Sequence, residues 1–294
     1  MKRKVVMMGN TATTSLPIKW VKAMKIQKGQ EVEVNIQGNK LIISAETEPE
    51  INRCKIHISG RNETATWWSI VPVYELGYDE IEVTFDHPEI AVILNHIAKE
   101  QLGCIISEQS DKKCVLKSIT KETEFDTVLN RAFLTAVALG KQSLDLIKKD
   151  KISELKNLKF MEYTLNSLVG FCHRMLNKDG YKDPKKTGII YSIIKHLEFV
   201  GDMFDDINTT LIELPKIKLE KDFINLYEKI IEALAKAHKL IYKCDEKDLE
   251  EFVKFRDEIL TEIQKSKDPL TVMTMRHLRR AVTDFVPPIH SLHH

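Results

Sequence analysis

Three carboxylates that share one side of a predicted helix are the residues with the clearest capacity for chemistry. They are Glu198, Asp202 and Asp205, within the segment HLEFVGDMFDDI. At 100° per residue they lie within about 60° of one another, while Leu197 and Phe204 point to the other side. Like charges at this spacing repel, and a hard divalent or trivalent cation with oxygen ligands would relieve that repulsion. A solvated acidic face has the same spacing, and on spacing alone it is the commoner outcome.

The acidic residues belong to a helical half of the chain. From Phe125 onward the strand patterns stop, and apolar residues recur at the i, i+3, i+4 and i+7 spacing of an antiparallel bundle. Polar breaks divide this region into five or six helical stretches. The predicted stretches are 128–147, 155–175, 184–214, 223–242, 249–263 and 269–286. Pro287-Pro288 is expected to stop the last one.

The opposite end of the chain is strongly basic. Residues 1–44 contain eight Lys and Arg against two Glu, a net charge of +6, whereas the remainder has 36 basic and 41 acidic residues, a net charge of −5. The near-neutral total of +1 therefore hides an asymmetry. A basic head on a mildly acidic body indicates a module that binds a polyanion.

The basic head predicts the element order β-β-α-β-β. Two strands flank a Gly9-Asn10 turn, and Pro17 suits the first turn of a helix. The alternating residues 31–36 and 41–43 then form a hairpin around Gly38-Asn39. A unit of this size buries too little apolar surface to be stable alone. We therefore expect two copies to share strands in a two-fold dimer.

Between these regions, residues 51–120 predict a small α/β layer with the order β-α-β-α-β-β. The acidic, proline-containing segment 46–51 is typical of a linker. Asn62 can cap the first helix of the layer, and Gly77 can end it. The segment contains no glycine-rich phosphate loop and no catalytic spacing.

Composition narrows the class of protein further. No apolar run reaches the roughly 18 residues of a membrane span, so we expect no membrane insertion. The five cysteines are scattered and never in C-x-x-C spacing, which favours a reducing, cytoplasmic location over a disulfide framework. There is also no Walker loop and no nucleophile beside a base, and we expect no enzyme.

The basic head resembles a known family. The pattern KV…GN…TSLPIKWVKAMKIQKGQEVEV…KLIIS, across nearly all of residues 2–45, is similar to the AbrB/SpoVT/MazE swapped-hairpin DNA-binding domain. The resemblance implies a homodimer that binds double-stranded DNA. A basic solvated face on a dimerisation module fits the same residues, and fold alone does not prove DNA binding. The DNA-binding residues that the resemblance implies are Lys2, Arg3, Lys4, Asn10, Thr11, Lys19 and Lys22.

The helical half resembles a second family. HLEFVGDMFDDI is similar to the E-x-x-x-D signature of PhoU, a helical regulator of phosphate uptake with two three-helix repeats that bind metal ions. VYELGYDEIEV is similar to the α/β region of archaeal phosphate-uptake regulators. The resemblance implies a metal ion at Glu198, Asp202 and Asp205. Arg280 departs from it, because the second repeat would carry a glutamate there, and Glu162 with Asn166 only echoes the acidic pair.

Together these patterns predict a multidomain α+β protein with domains at 1–46, 51–120 and 122–290. The function they favour is a dimeric, DNA-binding transcriptional regulator with a PhoU-like sensing body, linked to phosphate uptake and homeostasis. Two alternatives stay open. One is a signalling adaptor that dimerises through the head and binds a phosphate ABC transporter or a sensor kinase. The other is an antitoxin-like protein.

Overall fold

The computed structural model of the chain describes residues 2–37, 40–45, 51–119, 125–214 and 216–293. The chain divides into two compact units, Met1–Ile51 and Asn52–His294. The predicted Gly38-Asn39 turn and most of the predicted linker lie outside the described residues, as does the boundary between the second and third predicted domains. The boundaries 1–46, 51–120 and 122–290 stay a prediction.

The first unit consists of two hairpins joined through a short helix, in the predicted order β-β-α-β-β. Its elements are β1 (Val5–Met8), β2 (Thr11–Thr14), α1 (Ile18–Ala23), β3 (Glu33–Gln37) and β4 (Lys40–Ser44). β1 pairs with β2 and β3 with β4, both antiparallel. Gly9 has a φ of 62°, which suits the glycine position of a two-residue hairpin turn. Thr11, predicted in that turn, is the first residue of β2 and lies opposite Met8.

The second unit begins with a four-stranded sheet and two helices, again in the predicted order. The strands are β5 (Arg53–Ile58), β6 (Glu80–Phe85), β7 (Cys104–Gln109) and β8 (Lys113–Ser118), and the helices are α2 (Glu63–Glu75) and α3 (Ile90–Glu100). The spatial order is β5-β6-β8-β7. β5 and β6 are parallel because α2 makes the crossover between them, and the other pairs are antiparallel.

The start of α2 shows why the sequence places a helix there. Asn62 is the N-cap, and its Oδ1 accepts a hydrogen bond from the Ala65 backbone N–H at 2.8 Å, as predicted. Ile70 and Tyr74 are fully buried against the sheet and α3. Gly77 follows with a φ of 97°. The cap, the buried face and the glycine together orient α2 along the sheet.

Long helices make up the rest of the second unit. They are α4 (Phe125–Lys148), α5 (Lys159–Asp179), α6 (Thr187–Glu213), α7 (Lys221–Tyr242), α8 (Glu246–Lys265), α9 (Pro269–Thr283) and the short α10 (Val286–Leu292), with 3₁₀ segments at Ile152–Leu158 and Pro184–Lys186. They enclose one large apolar core. The arrangement as two PhoU-like repeats stays a prediction. Among the residues described, no helix is both long enough and apolar enough to span a bilayer.

The end of the chain differs from its prediction. Pro287 and Pro288 were expected to stop a helix running from Pro269 to Val286, but α9 already ends at Thr283 and both prolines lie in the first turn of α10. The backbone N–H groups of a first helical turn need no partner within the helix, so proline is compatible with that position. The two prolines begin a helix here, and they do not end one.

Two glycines bring α6 close to its neighbours. A Cβ at Gly201 would lie 2.5 Å from Leu165 Cδ2 of α5, and a Cβ at Gly140 of α4 would lie 2.7 Å from Phe204 Cζ. Separations below about 3.0 Å do not occur for real Cβ atoms, so a larger residue at either position would force Leu165 or Phe204 to move. The contact at Gly201 sets the acidic side of α6 directly beside α5.

A buried arginine joins the helices to the sheet layer. Arg174 of α5 is 2% exposed. Its Nη1 donates to Tyr74 O at 2.8 Å and Tyr78 O at 2.7 Å, and its Nη2 donates to Asp79 Oδ1 at 3.0 Å. Burial alone would raise the pKa of Asp79, but hydrogen bonds from Lys178 and Asn52 and the charge of Arg174 lower it overall. The guanidinium thus binds three acceptors at and just after the end of α2, where Tyr74 O also accepts from the Gly77 N–H and Asp79 Oδ1 also accepts from Lys178.

Replacing this arginine should weaken the second unit. Arg174→Leu leaves the Tyr78 carbonyl without its buried donor and the Tyr74 carbonyl with the Gly77 N–H alone, and we expect a loss of about 2–4 kcal/mol in the free energy of unfolding. Lys178→Leu is the matched control. It removes the other cation on Asp79 at a more exposed position and should cost about 1 kcal/mol or less. Urea unfolding followed by circular dichroism measures both, and equal losses would contradict the role given to Arg174.

Candidate functional site

The cations predicted to bind DNA all lie on the surface of the first unit. Lys2, Arg3 and Lys4 are exposed and lead directly into β1, while Lys19 and Lys22 are exposed on α1, one helical turn apart. In the described part of this unit no ion pair engages them. Their charges are therefore available to an external anion.

These residues do not form one compact cluster. Lys4 lies at the open end of the first hairpin, because Thr14 Oγ1 donates to Lys4 O at 3.3 Å. Asn10 lies in the turn at the closed end. The four residues of β1 separate the two ends by about 13 Å. The candidate DNA-binding groups thus run along the hairpin, and this arrangement suits an extended backbone better than a small ligand.

The second hairpin presents an apolar face to solvent. Val34 lies opposite Ile43, and Ile36 lies opposite Leu41, so these four side chains share one face. Val34 is 50% exposed, Ile36 80% and Leu41 57%. In β1 the four apolar residues are between 56% and 67% exposed. No described residue of the first unit is buried, so this unit has no core within one chain.

The acidic stripe of α6 is largely neutralised by lysines. Lys195 Nζ lies 2.6 Å from Glu198 Oε2, and Lys159 Nζ of α5 lies 2.7 Å from Asp205 Oδ2. Asp202 has no such ion pair among the described residues. Its side chain is exposed, but the surrounding protein removes part of its hydration. The loss of hydration is the larger cause that raises the pKa of Asp202. The negative charges of Glu198 and other carboxylates raise it further.

A further carboxylate faces the stripe from α5. Glu162 is 6% exposed, and its Oε2 lies 3.2 Å from the same Lys159 Nζ that binds Asp205. Burial raises the pKa of Glu162, and the nearby charge of Lys159 opposes that effect. Asn166 donates to Glu162 Oε1. The E-x-x-x-N spacing seen in the sequence therefore corresponds to a real pair, but its burial and its shared lysine depend on the packing of α5 against α6.

The predicted metal site coincides with the acidic stripe of α6. Within the described ranges, no group of three or more His, Cys, Asp or Glu side chains is arranged to hold a metal ion. Lysine ammonium groups take the places beside Glu198 and Asp205 that a cation would need. Metal binding at Glu198, Asp202 and Asp205 thus stays a prediction. The spacing Lys195–Glu198 (i, i+3) could have indicated one of the lysine pairs from sequence.

Comparison with known protein families gives a match within the first unit. Residues 5–50 match the family described as "Antidote-toxin recognition MazE, bacterial antitoxin". This match supports the predicted swapped-hairpin domain. No curated protein matches the chain, and no solved structure matches it. The PhoU-like part of the prediction has no support from these comparisons.

Replacing Asp202 distinguishes a solvated acidic face on α6 from a metal site. A carboxyl with a raised pKa in the folded state contributes stability that is present at low pH and is lost as pH rises through that pKa. Asp202→Asn should therefore raise the Tm by about 1–3 °C near neutral pH, with the difference shrinking toward about pH 4. Asp111→Asn, in an exposed turn, is the control and should change little. Differential scanning calorimetry measures both, and a lower Tm for Asp202→Asn in the presence of Mn²⁺ would favour a cation site instead.

Proposed function

We propose that this chain is a DNA-binding transcriptional regulator that acts as a homodimer through residues 2–45. One observation carries the proposal: exposed cations flank hairpins whose apolar faces have no partner within the chain. The match of residues 5–50 to the MazE family is consistent with a DNA-binding regulator or an antitoxin.

The dimer follows from the hydrophobic effect. Each exposed apolar side chain that leaves water contributes roughly 1.5–3 kcal/mol. Val34, Ile36 and Leu41 together present such a face, and a second copy of the same face is complementary to it by two-fold symmetry. We infer that the hairpins of two chains interlock and that this contact supplies the core that one copy lacks.

DNA binding follows from the charges that this dimer brings together. Lys2, Arg3, Lys4, Lys19 and Lys22 contribute five exposed cations per chain, and two-fold symmetry doubles them. Asn10 and Thr11 add polar groups at the closed end of the first hairpin. Cations that neutralise phosphates release condensed counterions, which drives binding without base contacts. Duplex DNA is the polyanion whose own two-fold symmetry matches such a dimer.

The apolar face gives a test of dimerisation. Ile36→Asp places a charge in the proposed interface, where it would be buried without a partner, and the dimer dissociation constant should rise by about 100-fold or more. Gln27→Asp adds the same charge in the exposed turn after α1 and should leave association unchanged. Sedimentation velocity over a concentration series measures both. Unchanged association in Ile36→Asp would show that this face is not the interface.

The cations give a test of DNA binding. Binding of the wild-type chain to an arbitrary duplex of roughly 30 base pairs should weaken steeply with salt. The double variant Arg3→Ala/Lys4→Ala removes four charges from a dimer. It should therefore reduce the slope of log binding constant against log salt concentration by about 3–4. Affinity should fall by at least about tenfold at low salt while the dimer persists. Lys265→Ala/Lys267→Ala removes the same number of charges from exposed positions in the second unit and serves as the control.

Fluorescence anisotropy with labelled duplex measures these affinities. The absence of any binding by the wild-type chain at low salt would overturn the proposal for DNA. Equal losses in the two double variants would show that the whole surface, and not the head, binds the duplex.

An antitoxin is the second candidate, and the match of residues 5–50 to the MazE antitoxin family favours it. In that case the head dimerises and the chain neutralises a toxin. A chain that dimerises through Ile36 but does not bind duplex at low salt would favour this candidate.

For the second unit we propose a sensing body, with phosphate uptake as the regulated process. The support for this step is the sequence similarity of HLEFVGDMFDDI and VYELGYDEIEV to PhoU-like regulators. The signalling-adaptor alternative, with a phosphate ABC transporter or a sensor kinase as partner, rests on the same similarity. Recovery of a membrane complex by Arg3→Ala/Lys4→Ala as efficiently as by wild type would favour the adaptor. No enzymatic activity is part of either proposal.

A further inference from the structure

Three polar groups, two of them buried, lie where α5 contacts α2 and the end of α3, and none of them belongs to the acidic stripe of α6. They are Glu75 at the end of α2, Gln101 after α3 and His173 of α5. His173 is 1% exposed and Gln101 is 6% exposed. Both ring nitrogens of His173 and the side-chain oxygen of Gln101 are buried without a hydrogen-bond partner. Buried polar atoms are nearly always paired, so these three atoms indicate a missing partner.

Gly170 lets two of these groups approach α5 closely. A Cβ at position 170 would lie 3.1 Å from Gln101 Oε1 and 3.1 Å from Glu75 Oε1. Both oxygens therefore lie beside the same bare stretch of α5. His173 lies one helical turn further along the same side of that helix. The absence of a Cβ at position 170 thus brings the two oxygens together near the His173 side of α5.

The distance between His173 and Glu75 is informative. His173 Nδ1 lies 3.8 Å from Glu75 Oε2, which is too long for a hydrogen bond. Two atoms that each lie about 2.0–2.2 Å from one metal ion are about 3–4 Å apart. Tyr191 stacks on the His173 ring with centroids 4.3 Å apart and holds the imidazole in place. The pair thus has the separation of two ligands of a common ion.

The charges around the cluster leave Glu75 free to act as a ligand. The charge of Glu75 acts on Lys195, but the ammonium group of Lys195 lies 2.6 Å from Glu198 and is paired there. Arg174, next to His173 in the chain, directs its guanidinium to Tyr74, Tyr78 and Asp79. Among the described residues, no hydrogen bond or short ion pair occupies the Glu75 carboxylate.

We propose that Glu75, Gln101 and His173 bind a divalent first-row transition-metal ion over Gly170. An imidazole nitrogen selects such ions over Mg²⁺ and Ca²⁺, and the carboxylate and amide oxygens complete a mixed N/O set. The ligand set contains two ionisable side chains and one amide, so water molecules fill the remaining positions. The ion joins α2 and the segment after α3 to α5, and it couples the sheet layer to the helices.

Calorimetric titration of the metal-free full-length chain with Zn²⁺ and with Mn²⁺ tests the proposal. We expect one ion per chain bound at this site, a rise in Tm of about 5 °C at saturating metal, and no competition from excess Mg²⁺. Glu75→Gln removes the charged ligand and should weaken binding by at least about tenfold. Gly170→Ala fills the space without removing any ligand and should abolish binding.

Gly188→Ala is the matched control, because a Cβ there meets no atom within 4 Å, and it should bind as wild type does. Thermal unfolding of the metal-free variants shows whether they fold, so a loss of binding is attributed to the site only in a folded protein. Binding that Glu75→Gln and Gly170→Ala both leave unchanged would place the metal elsewhere, for example on the C-terminal histidines, and would overturn the proposal. No binding by the wild-type chain would also overturn it and would assign the unpaired atoms to buried water.

Discussion

The first unit depends on one constraint: its two hairpins and single short helix cannot bury their own apolar side chains. Val5–Met8 and the face formed by Val34, Ile36 and Leu41 lie in solvent within one chain. Hydrophobic burial is the main favourable contribution to folding, so this unit needs apolar surface from elsewhere. In the dimer that we propose, a second copy supplies this surface and at the same time doubles the exposed cations. Stability and polyanion binding of the head would then be consequences of the same association.

The second unit differs from the first because it has a large apolar core of its own. Its polar groups are arranged around that core. Gly201 allows α6 to approach α5 closely, and this approach brings the carboxylates of both helices to the same side of the contact. Lys159 is placed between Glu162 and Asp205 and offsets their repulsion. Arg174 performs a similar role at the sheet layer, where its guanidinium binds the Tyr74 and Tyr78 carbonyls at and just after the end of α2. Specific cations thus stabilise the places where elements end or crowd together.

The elements themselves could be predicted from sequence, because they depend on local patterns. The Gly9-Asn10 turn predicted the first hairpin, alternation predicted the strands of the second, and Asn62 predicted the start of α2. The functional geometry depended on residues far apart in the chain. Lys159 and Asp205 are 46 residues apart, and the group formed by Glu75, Gln101 and His173 comes from three elements. The break between α9 and α10 was missed because Pro287 and Pro288 are compatible with the start of a helix as well as with its end.

Amide hydrogen exchange of the full-length chain, followed by mass spectrometry over a range of protein concentrations, tests the central claim most directly. If two copies provide the core of the head, amide protection in segments 5–14 and 33–44 should rise with protein concentration, while protection in α4 to α9 should not change. Strong protection of both hairpin segments in a protein that remains a single chain at every concentration would contradict the account.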